Sequence, residues 1–278
     1  MRFAVTLVAP PGYPHAEAFR EVAETVHLCL RALGHDAVLV AGPPPPDRRA
    51  IVLGTNLLSK HPLPLADDAI LYNLEQVEAG SPWFDDAQLA LLRRFRVWDY
   101  SARNAARLAA LGLPAPVVVP IGWVPELTRI APAPAEDVDV LFYGSMNPRR
   151  SAIVRRLRAE GLRVEAAFGV YGAARDALVA RAKVVLNVHF YAAKVFEVVR
   201  VSYLLANRKA VVSERGADPD EEEPFAAAVA FAAYEELPRR CVALVAADDE
   251  RRTRGDAGLA AMQRRPAPDI LARALATS

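Results

Sequence analysis

The chain has 278 residues, of which 53% are hydrophobic and 24% are charged, and its formal net charge is +1. This length is comfortable for two domains, and the composition is that of a globular protein with ample core. A charge so close to zero argues against nucleic acid or an anionic membrane as the main partner. Cys29 and Cys241 stand far apart in apolar contexts, so we expect no disulfide framework and a cytoplasmic location.

The first apolar stretch predicts a buried strand and not a targeting segment. Residues 3–9 are apolar except for Thr6, and the run stops at Pro10 and Pro11 without the small-residue cleavage site of a secretory signal. No stretch of the sequence approaches the ~18 continuous apolar residues of a membrane span. We therefore expect no transmembrane segment.

The first half of the chain alternates strand-like and helix-like segments. Short apolar runs bounded by turn residues predict strands, and apolar residues spaced three or four apart predict helices. The predicted strands are residues 3–9, 37–41, 51–53, 69–72, 96–99 and 117–120. The predicted helices are residues 16–33, 86–94 and 101–111, the last with Ser101 as its N-cap. This alternation indicates a doubly wound parallel sheet with right-handed crossovers.

The alternation restarts after the Pro/Ala-rich linker at residues 131–137. The predicted strands are residues 138–143, 163–167, 184–188, 210–213 and 228–232, and the predicted helices are residues 149–160, 171–182, 195–206 and 235–246. The acidic run at 218–223 reads as a solvated loop. We therefore predict an α/β fold of two Rossmann-like, doubly wound parallel-sheet domains facing each other across a cleft. They span residues 1–125 and 138–250, and a helical tail over 251–278 packs back on the first domain.

A glycine turn follows the first strand of the second half. Gly144 and Ser145 end that strand, and Arg149 and Arg150 begin the next helix. Glycine lets a diphosphate approach the backbone, the first helix amides are unpaired, and arginine binds phosphate in bidentate fashion. Two cations at a helix N-terminus are locally unfavourable, so something anionic should compensate for them. The alternative is a plain turn before an exposed basic helix start. The chain has neither a Gly-x-Gly-x-x-Gly fingerprint nor a Walker loop.

Further polar residues follow the later strands of the second half. Glu197, within a helix otherwise apolar on that side, is placed to accept both hydroxyls of a ribose; the alternative is an ion pair with Arg200, three residues on. His189, a catalytic candidate, ends one strand, and Lys194, a donor-binding candidate, begins the next helix; such a cluster suits a sugar ring or a phosphate. A structural histidine is the plainer alternative. Glu214 ends the following strand and allows the same two interpretations.

The first half offers three candidates after its strands. His15 follows the first strand, and its imidazole would suit a general base on an acceptor hydroxyl, although a surface histidine at a helix start is equally compatible. Glu75 and Asp99 follow two later strands and are acceptor-side candidates. Because the five histidines are scattered and no Cys-x-x-Cys is present, we predict no metal site.

The stretch from Asp139 to Glu214 resembles the GT-B glycosyltransferases, and within them the bacterial "glycosyltransferase family 1-like" group that includes spore-coat maturation proteins. The matching segments are Asp139–Arg150, Ala182–His189, Val195–Arg200 and Ala210–Glu214. The resemblance implies that Gly144, Ser145 and either Arg149 or Arg150 hold the diphosphate of a sugar donor, and that Glu197 holds its ribose. Many retaining members carry two glutamates eight positions apart. Glu197 matches the second of them, and His189 stands where the first is expected, so retention and inversion both stay open.

These patterns favour a hexosyltransferase that moves a sugar from a nucleoside-diphosphate sugar to an unidentified acceptor, with no cofactor and no metal. An alternative from another class is a non-catalytic nucleotide-sugar or glycan-binding module, which His189 and the short chain favour. A nicotinamide or flavin oxidoreductase is the least supported, because its glycine fingerprint is missing from both halves. The sequence does not predict the sugar, the nucleobase, the acceptor or the oligomeric state.

Overall fold

The chain forms two compact units in a computed structural model that describes residues 1–78, 80–81 and 83–277. One unit consists of Met1–Val124 and Arg265–Ser278, and the other of Pro125–Arg264. Residues 251–264 thus lie in the second unit, and the stretch that returns to the first unit starts at Arg265. Ala79 and Pro82 of the predicted first domain, and Ser278 of the predicted tail, lie outside the described residues.

The first unit is built on a six-stranded parallel sheet in the order β2-β1-β3-β4-β5-β6. Its strands are β1 (Arg2–Leu7), β2 (Asp36–Ala41), β3 (Arg49–Leu53), β4 (Ile70–Asn73), β5 (Arg96–Asp99) and β6 (Val117–Val118). In the part of this unit that ends at Val124, the helices are α1 (Arg20–Ala32), α2 (Asp86–Arg94) and α3 (Ala102–Ala110), with short 3₁₀ helices at Pro14–Phe19 and Thr55–Leu57. All of β1 after Arg2 is buried, because a parallel strand is covered on both faces.

The second unit is built on a five-stranded parallel sheet in the order β11-β10-β9-β7-β8. Its strands are β7 (Val138–Tyr143), β8 (Val164–Ala167), β9 (Ala182–Asn187), β10 (Ala210–Glu214) and β11 (Val229–Ala232). Its helices are α4 (Pro148–Ala159), α5 (Gly172–Arg181), α6 (Val198–Ala206), α7 (Pro219–Glu222), α8 (Leu237–Ala246) and α9 (Asp248–Gln263), with 3₁₀ turns at Pro125–Leu127, Glu223–Phe225 and Tyr234–Glu236. The carboxyl ends of β7, β9 and β10 therefore meet at one edge of the sheet.

The chain returns to the first unit through α10 (Ala267–Ala276). The backbone of Trp123 exchanges hydrogen bonds with this return, since its N–H donates to Arg265 O and its carbonyl accepts from Ala267 N. The approach is close: a Cβ on Gly122 would lie 2.6 Å from the Cα of Ala267. The helix then packs against α1. No helix among the described residues is both long and apolar enough to cross a bilayer.

The prediction of two α/β units with parallel sheets is confirmed, and three local predictions are wrong. The first helix opens as the 3₁₀ helix Pro14–Phe19 and becomes α-helical at Arg20. The predicted helix at 195–206 starts at Val198, so Glu197 precedes it. The acidic run at 218–223 contains α7, and Glu222 within it is only 4% exposed.

Contacts distant in sequence explain the late start of α6. The carbonyl of Lys194 accepts a hydrogen bond from Ala217 N, and the N–H of Phe196 donates to a carboxylate oxygen of Glu221. These backbone groups are bonded to the segment after β10, so they do not join the helical ladder. The segment before α6 is consequently not helical, and it contains turns, with hydrogen bonds from Lys194 N to Tyr191 O and from Val198 N to Phe196 O.

Candidate functional site

The turn after β7 is shaped by Gly144. Its φ is 132°, a conformation that side chains of L residues rarely adopt, and its N–H donates to Ala167 O at 3.0 Å. A Cβ at this position would lie 3.0 Å from Nη2 of Arg200, so the guanidinium needs the space that glycine leaves. Ser145 follows as an exposed residue. The predicted glycine turn is therefore present at the carboxyl end of β7.

Helix α4 starts directly after this turn, for a local reason. The side chain of Asn147 accepts a hydrogen bond from Arg150 N at 2.8 Å, and Pro148 occupies the first helical position. Both are favourable at a helix N-terminus, because an N-cap satisfies a free amide and proline has none to lose. The cap places Arg149 and Arg150 in the first turn, as the sequence predicts.

Arg150 is buried, with its side chain 2% exposed. Its Nε and Nη2 donate to Val188 O at 2.8 and 2.6 Å, and its Nη1 donates to Ser145 O at 2.8 Å. Burial lowers the pKa of Arg150 to about 10 against the opposing effect of Glu197, so the side chain stays charged at neutral pH. Arg150 ties the glycine turn to the end of β9, and of the two predicted arginines it is the one withdrawn from solvent.

Arg149 instead pairs with Glu214 at the end of β10. Its Nη1 donates to one carboxylate oxygen at 2.6 Å and its Nη2 to the other, and Nζ of Lys194 lies 3.0 Å from the same carboxylate. The Glu214 side chain is 1% exposed. Burial acts to raise the pKa of Glu214, but the hydrogen bonds from Arg149 and Lys194 outweigh it and lower the pKa below its usual value. Glu214 therefore holds two cations at this edge of the sheet.

Lys194 reaches Glu214 from a left-handed backbone conformation. Its φ is 47°, which is uncommon for a residue other than glycine and costs free energy. The surrounding hydrogen bonds hold it there, since the carbonyl of Lys194 accepts from Ala217 N and its N–H donates to Tyr191 O. Strain of this kind is concentrated at functional sites.

Glu197 lies between two arginines. Its Oε1 accepts from Nη2 of Arg150 at 3.1 Å, and its Oε2 lies 3.0 Å from Nη1 of Arg200. The second contact is an ion pair by distance but lacks hydrogen-bond alignment, because Oε2 is buried without a hydrogen-bond partner among the described residues. One carboxylate oxygen thus has hydrogen-bonding capacity to spare. The ion pair with Arg200, considered as the alternative for Glu197, is present.

His189 is 0% exposed, and neither ring nitrogen has a hydrogen-bond partner among the described residues. Its Nδ1 lies 4.0 Å from Oε1 of Glu197. Burial lowers the pKa of His189, and the nearby carboxylates of Glu197 and Glu214 oppose the shift without reversing it. The imidazole is therefore neutral at physiological pH. A buried, unpaired polar ring is costly, and it marks a place where a ligand group would be stabilised.

The cluster as a whole is electropositive. Four cationic side chains, Arg149, Arg150, Lys194 and Arg200, face two carboxylates, Glu197 and Glu214, around a neutral histidine. This leaves an excess of two positive charges beside the N-terminus of α4, where the helix dipole is positive although Arg150 N and Ser151 N are already bonded to Asn147. Both features attract an anionic group, and phosphate oxygens are suited to such a site.

The first unit holds the three remaining predicted residues. His15 is half-buried in the 3₁₀ helix, and its ring packs edge-on against Tyr13 at 5.2 Å between centroids. Burial, followed by the charge of Glu75, raises the pKa of Tyr13, so Glu75 lies near the same group. The carbonyl of Glu75 accepts from the side chains of Asn73 and Asn104. His15 and Glu75 thus belong to one neighbourhood around Tyr13.

Asp99 has a structural position. It is 0% exposed, its Oδ2 accepts from Nδ2 of Asn73 at 2.7 Å and its Oδ1 from Ser101 N at 2.9 Å. Ser101 in turn caps α3 by accepting from Asn104 N, which confirms its predicted role. An aspartate so enclosed fixes the loop after β5 and does not present its carboxylate to an acceptor.

Two residues of the cluster had little prominence in the sequence. The sequence indicates Arg200 only as an ion-pair partner of Glu197, and Asn187 is a further member of the cluster, two residues before His189. In the structure Nη1 of Arg200 donates to Oδ1 of Asn187 at 3.2 Å. A polar residue at the end of a mostly apolar strand was the sequence feature that could have indicated Asn187.

Among the described residues, no group of three or more His, Cys, Asp or Glu side chains is arranged to hold a metal ion.

Known proteins share the fold of this chain more clearly than its sequence. No family model matches. Two uncharacterized proteins of Acanthamoeba polyphaga mimivirus match at 43% identity over 56 residues and at 31% over 127 residues. These matches cover 20% and 43% of this chain, and only 6% and 40% of the viral proteins.

Solved structures of glycosyltransferases align along nearly the whole chain. Anabaena HepE in complex with UDP-glucose aligns with a TM-score of 0.64 at 13% identity, covering 100% of both chains. WaaG, a glycosyltransferase involved in lipopolysaccharide biosynthesis, aligns at 0.60 and 10%, covering 98% of each chain. AviGT4, a glycosyltransferase involved in avilamycin A biosynthesis, aligns at 0.57 and 16%, covering 99% of this chain and 96% of its own. The chain therefore has the GT-B fold, with two α/β units of parallel strands.

Proposed function

We propose that this protein is a glycosyltransferase that uses a nucleoside-diphosphate sugar. The observation that carries the proposal is the electropositive cluster at the carboxyl edge of the second sheet, where a glycine turn and a helix N-terminus meet four cations. Ligands of parallel α/β sheets bind at this edge. The shared fold supports the proposal, and HepE, which has that fold, was solved with UDP-glucose bound.

Different residues of the cluster bind different parts of the sugar donor. The diphosphate lies against the Gly144 turn and the positive end of the α4 dipole, and Arg149 and Lys194 neutralise its charge. Glu197 accepts the ribose hydroxyls, because one of its oxygens lacks an aligned hydrogen bond. Arg150 is too deeply buried to be the main phosphate ligand, and it supports the turn from below. Ser145, exposed beside the turn, is available to the phosphate.

The reaction breaks the bond between the sugar and the diphosphate. As that bond breaks, negative charge grows on the leaving diphosphate, and positioned cations stabilise charge where it develops. The transition state of glycosyl transfer resembles an oxocarbenium ion, so orientation supplies much of the remaining acceleration. We propose that the cationic side chains serve the leaving group without a metal ion. If the reaction inverts, His15 is the candidate base for the acceptor hydroxyl.

His189 favours a second candidate function, a nucleotide-sugar or glycan-binding module without turnover. It is the predicted sugar-facing residue of the cluster, yet it is neutral and has no hydrogen-bond partner among the described residues. A neutral imidazole can contact a sugar hydroxyl but does not offer the charge of a carboxylate. A catalytic role for His189 therefore depends on how it pairs once a sugar is bound.

We also propose the sugar class, the transferase subgroup and the cellular location of this protein. Transfer of a hexose and kinship with the spore-coat maturation type of transferase rest on the residues between Asp139 and Glu214. A cytoplasmic location is supported by Cys29 and Cys241, which are both buried and form no disulfide with each other. The matches cover only 6% and 40% of the two mimivirus proteins, so these proposals concern this chain alone.

Turnover of a sugar donor separates the enzyme from the binding module. We expect slow release of UDP from UDP-glucose without an acceptor, measured by a coupled assay, and the rate should be unchanged by EDTA. Glu197→Gln should lower the rate at least about tenfold through loss of a charge-assisted hydrogen bond. Asp249→Asn, at a side chain that is 97% exposed, is the matched control and should leave the rate unchanged. Tight binding of nucleotide sugars with no turnover toward any acceptor would instead support the module.

A further inference from the structure

Arg200 occupies a position in the cluster that its sequence neighbourhood does not suggest. It lies on the first turn of α6, and its guanidinium points at the Gly144 turn, where a Cβ would come within 3.0 Å of Nη2 and 3.5 Å of Cζ. The same guanidinium carbon lies 5.5 Å from the centroid of the Tyr143 ring. Arg200 therefore lies directly beside the site proposed for the diphosphate.

A chain of buried polar groups fixes this arginine. The hydroxyl of Ser213 donates to Glu214 O at 3.0 Å, so its oxygen is left to accept from Nδ2 of Asn187, also at 3.0 Å. Asn187 is thereby oriented with Oδ1 toward Arg200, whose Nη1 donates to it at 3.2 Å. Asn187 and Ser213 are both 0% exposed. Two polar residues buried within strands are costly unless satisfied, and here their pairing positions one cation.

The remaining donors of Arg200 are available. Its Nη2 has no hydrogen-bond partner among the described residues, and the side chain is 23% exposed. The contact of Nη1 with Oε2 of Glu197, at 3.0 Å, is an ion pair without hydrogen-bond alignment, so an anionic ligand that replaces the carboxylate can restore the charge pairing and add a hydrogen bond. Arg149 and Lys194 differ, because both are engaged by the buried carboxylate of Glu214.

We propose that Arg200 is a phosphate-binding residue for a nucleoside diphosphate, with Nη2 donating to a phosphate oxygen at the Gly144 turn. This inference rests on the proposed function. When the nucleotide binds, Glu197 turns from Arg200 to the ribose, and the phosphate takes the place of the carboxylate beside the guanidinium. The N-terminus of α6 thus contacts two parts of the same nucleotide: Glu197, its N-cap, binds the ribose, and Arg200, in its first turn, binds a phosphate.

The test compares a nucleoside diphosphate with its nucleoside. Wild-type protein is titrated calorimetrically with UDP, GDP, ADP and dTDP, and then with the nucleoside of whichever diphosphate binds. For Arg200→Gln we expect the dissociation constant of the diphosphate to rise about 10- to 100-fold, the range for loss of one charged hydrogen bond, while that of the nucleoside stays within about threefold. Arg200→Lys should lie between the two, because it keeps the charge and loses the fixed fork. Arg252→Gln, at an exposed arginine paired with Asp249, is the control and should match wild type.

Each other outcome is decisive. Equal binding of the diphosphate by wild type and Arg200→Gln overturns the inference and leaves the proposed function standing. Equal losses for diphosphate and nucleoside also overturn it, because the effect would then be structural. If Arg200→Gln does not fold, Arg200→Lys carries the same comparison. If wild type binds none of the four diphosphates, the proposed function itself fails, and the inference fails with it.

Discussion

Gly144 is the residue on which the proposed phosphate site depends most directly. Its φ of 132° and the guanidinium 3.0 Å from its Cβ position exclude a side chain for two separate reasons. We expect Gly144→Ala to lower the free energy of unfolding by about 1–3 kcal/mol, the usual cost of such backbone strain. It should also weaken nucleotide binding, because Arg200 would be displaced.

A matched variant separates strain from crowding. Gly161 has a φ of 81° and nothing within 4 Å of its Cβ position, so Gly161→Ala introduces strain alone. Urea unfolding should show a loss of stability for both variants that is larger for Gly144→Ala, while calorimetric titration with UDP shows a loss of affinity for Gly144→Ala only. Full affinity in Gly144→Ala would contradict the contact between this turn and the ligand.

His189 predicts how stability depends on pH. Its folded-state pKa is lowered, chiefly by burial, whereas the unfolded side chain titrates near ~6.5. Below that value the unfolded chain therefore takes up a proton that the folded chain resists, and stability falls as the pH drops. The slope from this one group is at most about 1.4 kcal/mol per pH unit. Glu197, Glu214, Lys194 and Arg149 are the charged groups that act on it.

The measurement is urea unfolding at pH 7.5 and pH 5.5. Wild type should lose stability between these values, and His189→Gln should lose less. The exposed His61 gives the control, since His61→Gln should keep the wild-type difference. Identical pH dependence in His189→Gln and wild type would show that this histidine is not held neutral in the folded protein.

Helix α4 is the element that carries the cluster, and its first turn is set by a single cap. Removal of the Asn147 side chain should cost about 1 kcal/mol of unfolding free energy and loosen Arg149 and Arg150. Asp85 caps α2 in the same way, by accepting from Gln88 N at 2.8 Å, but it lies in the first unit. Asn147→Ala and Asp85→Ala should therefore destabilise equally by urea unfolding, and only Asn147→Ala should weaken binding of UDP. Equal affinity in both variants would contradict the role assigned to this helix start.

The sequence predicts elements well where the signal is local. The strands at 96–99 and 138–143 and the helix at 86–94 agree with the structure at both ends, because turn residues and capping groups bound them in the chain itself. The start of α6 could not be predicted, since Lys194 and Phe196 are bonded to residues beyond β10. The helical periodicity of 195–206 begins in a segment that these distant bonds keep out of the helix.

The site was predictable in its position and not in its pairings. Gly144, Glu197 and Glu214 stand at strand ends or a helix start, and the edge of a parallel sheet brings such residues together. The pairing of Arg149 with Glu214 joins positions 65 apart in the chain, and no local pattern encodes it. The burial of Arg150 could not be predicted either, because nothing in the sequence distinguishes two adjacent arginines at a helix start. Only the packing of β9 against β7 distinguishes them.

For the whole molecule, the fold is preserved where the sequence is not. The aligned glycosyltransferases share 10–16% of residues with this chain and cover 96–100% of their own lengths. Patterns of apolar strands and amphipathic helices suffice to specify two parallel-sheet units, and they tolerate extensive substitution. A shared fold does not by itself establish function, so the proposed function has to be tested at the cluster.

The most direct test of the central claim is a thermal shift measurement with nucleoside diphosphates. UDP, GDP, ADP and dTDP are each added to wild type and to Glu197→Gln. A ligand at 100 times its dissociation constant stabilises the folded protein by about 2.7 kcal/mol, so at least one diphosphate should raise the wild-type midpoint by several degrees. The shift should be smaller in Glu197→Gln. If none of the four shifts the wild-type midpoint, the cluster at the carboxyl edge of the second sheet is not a nucleotide site.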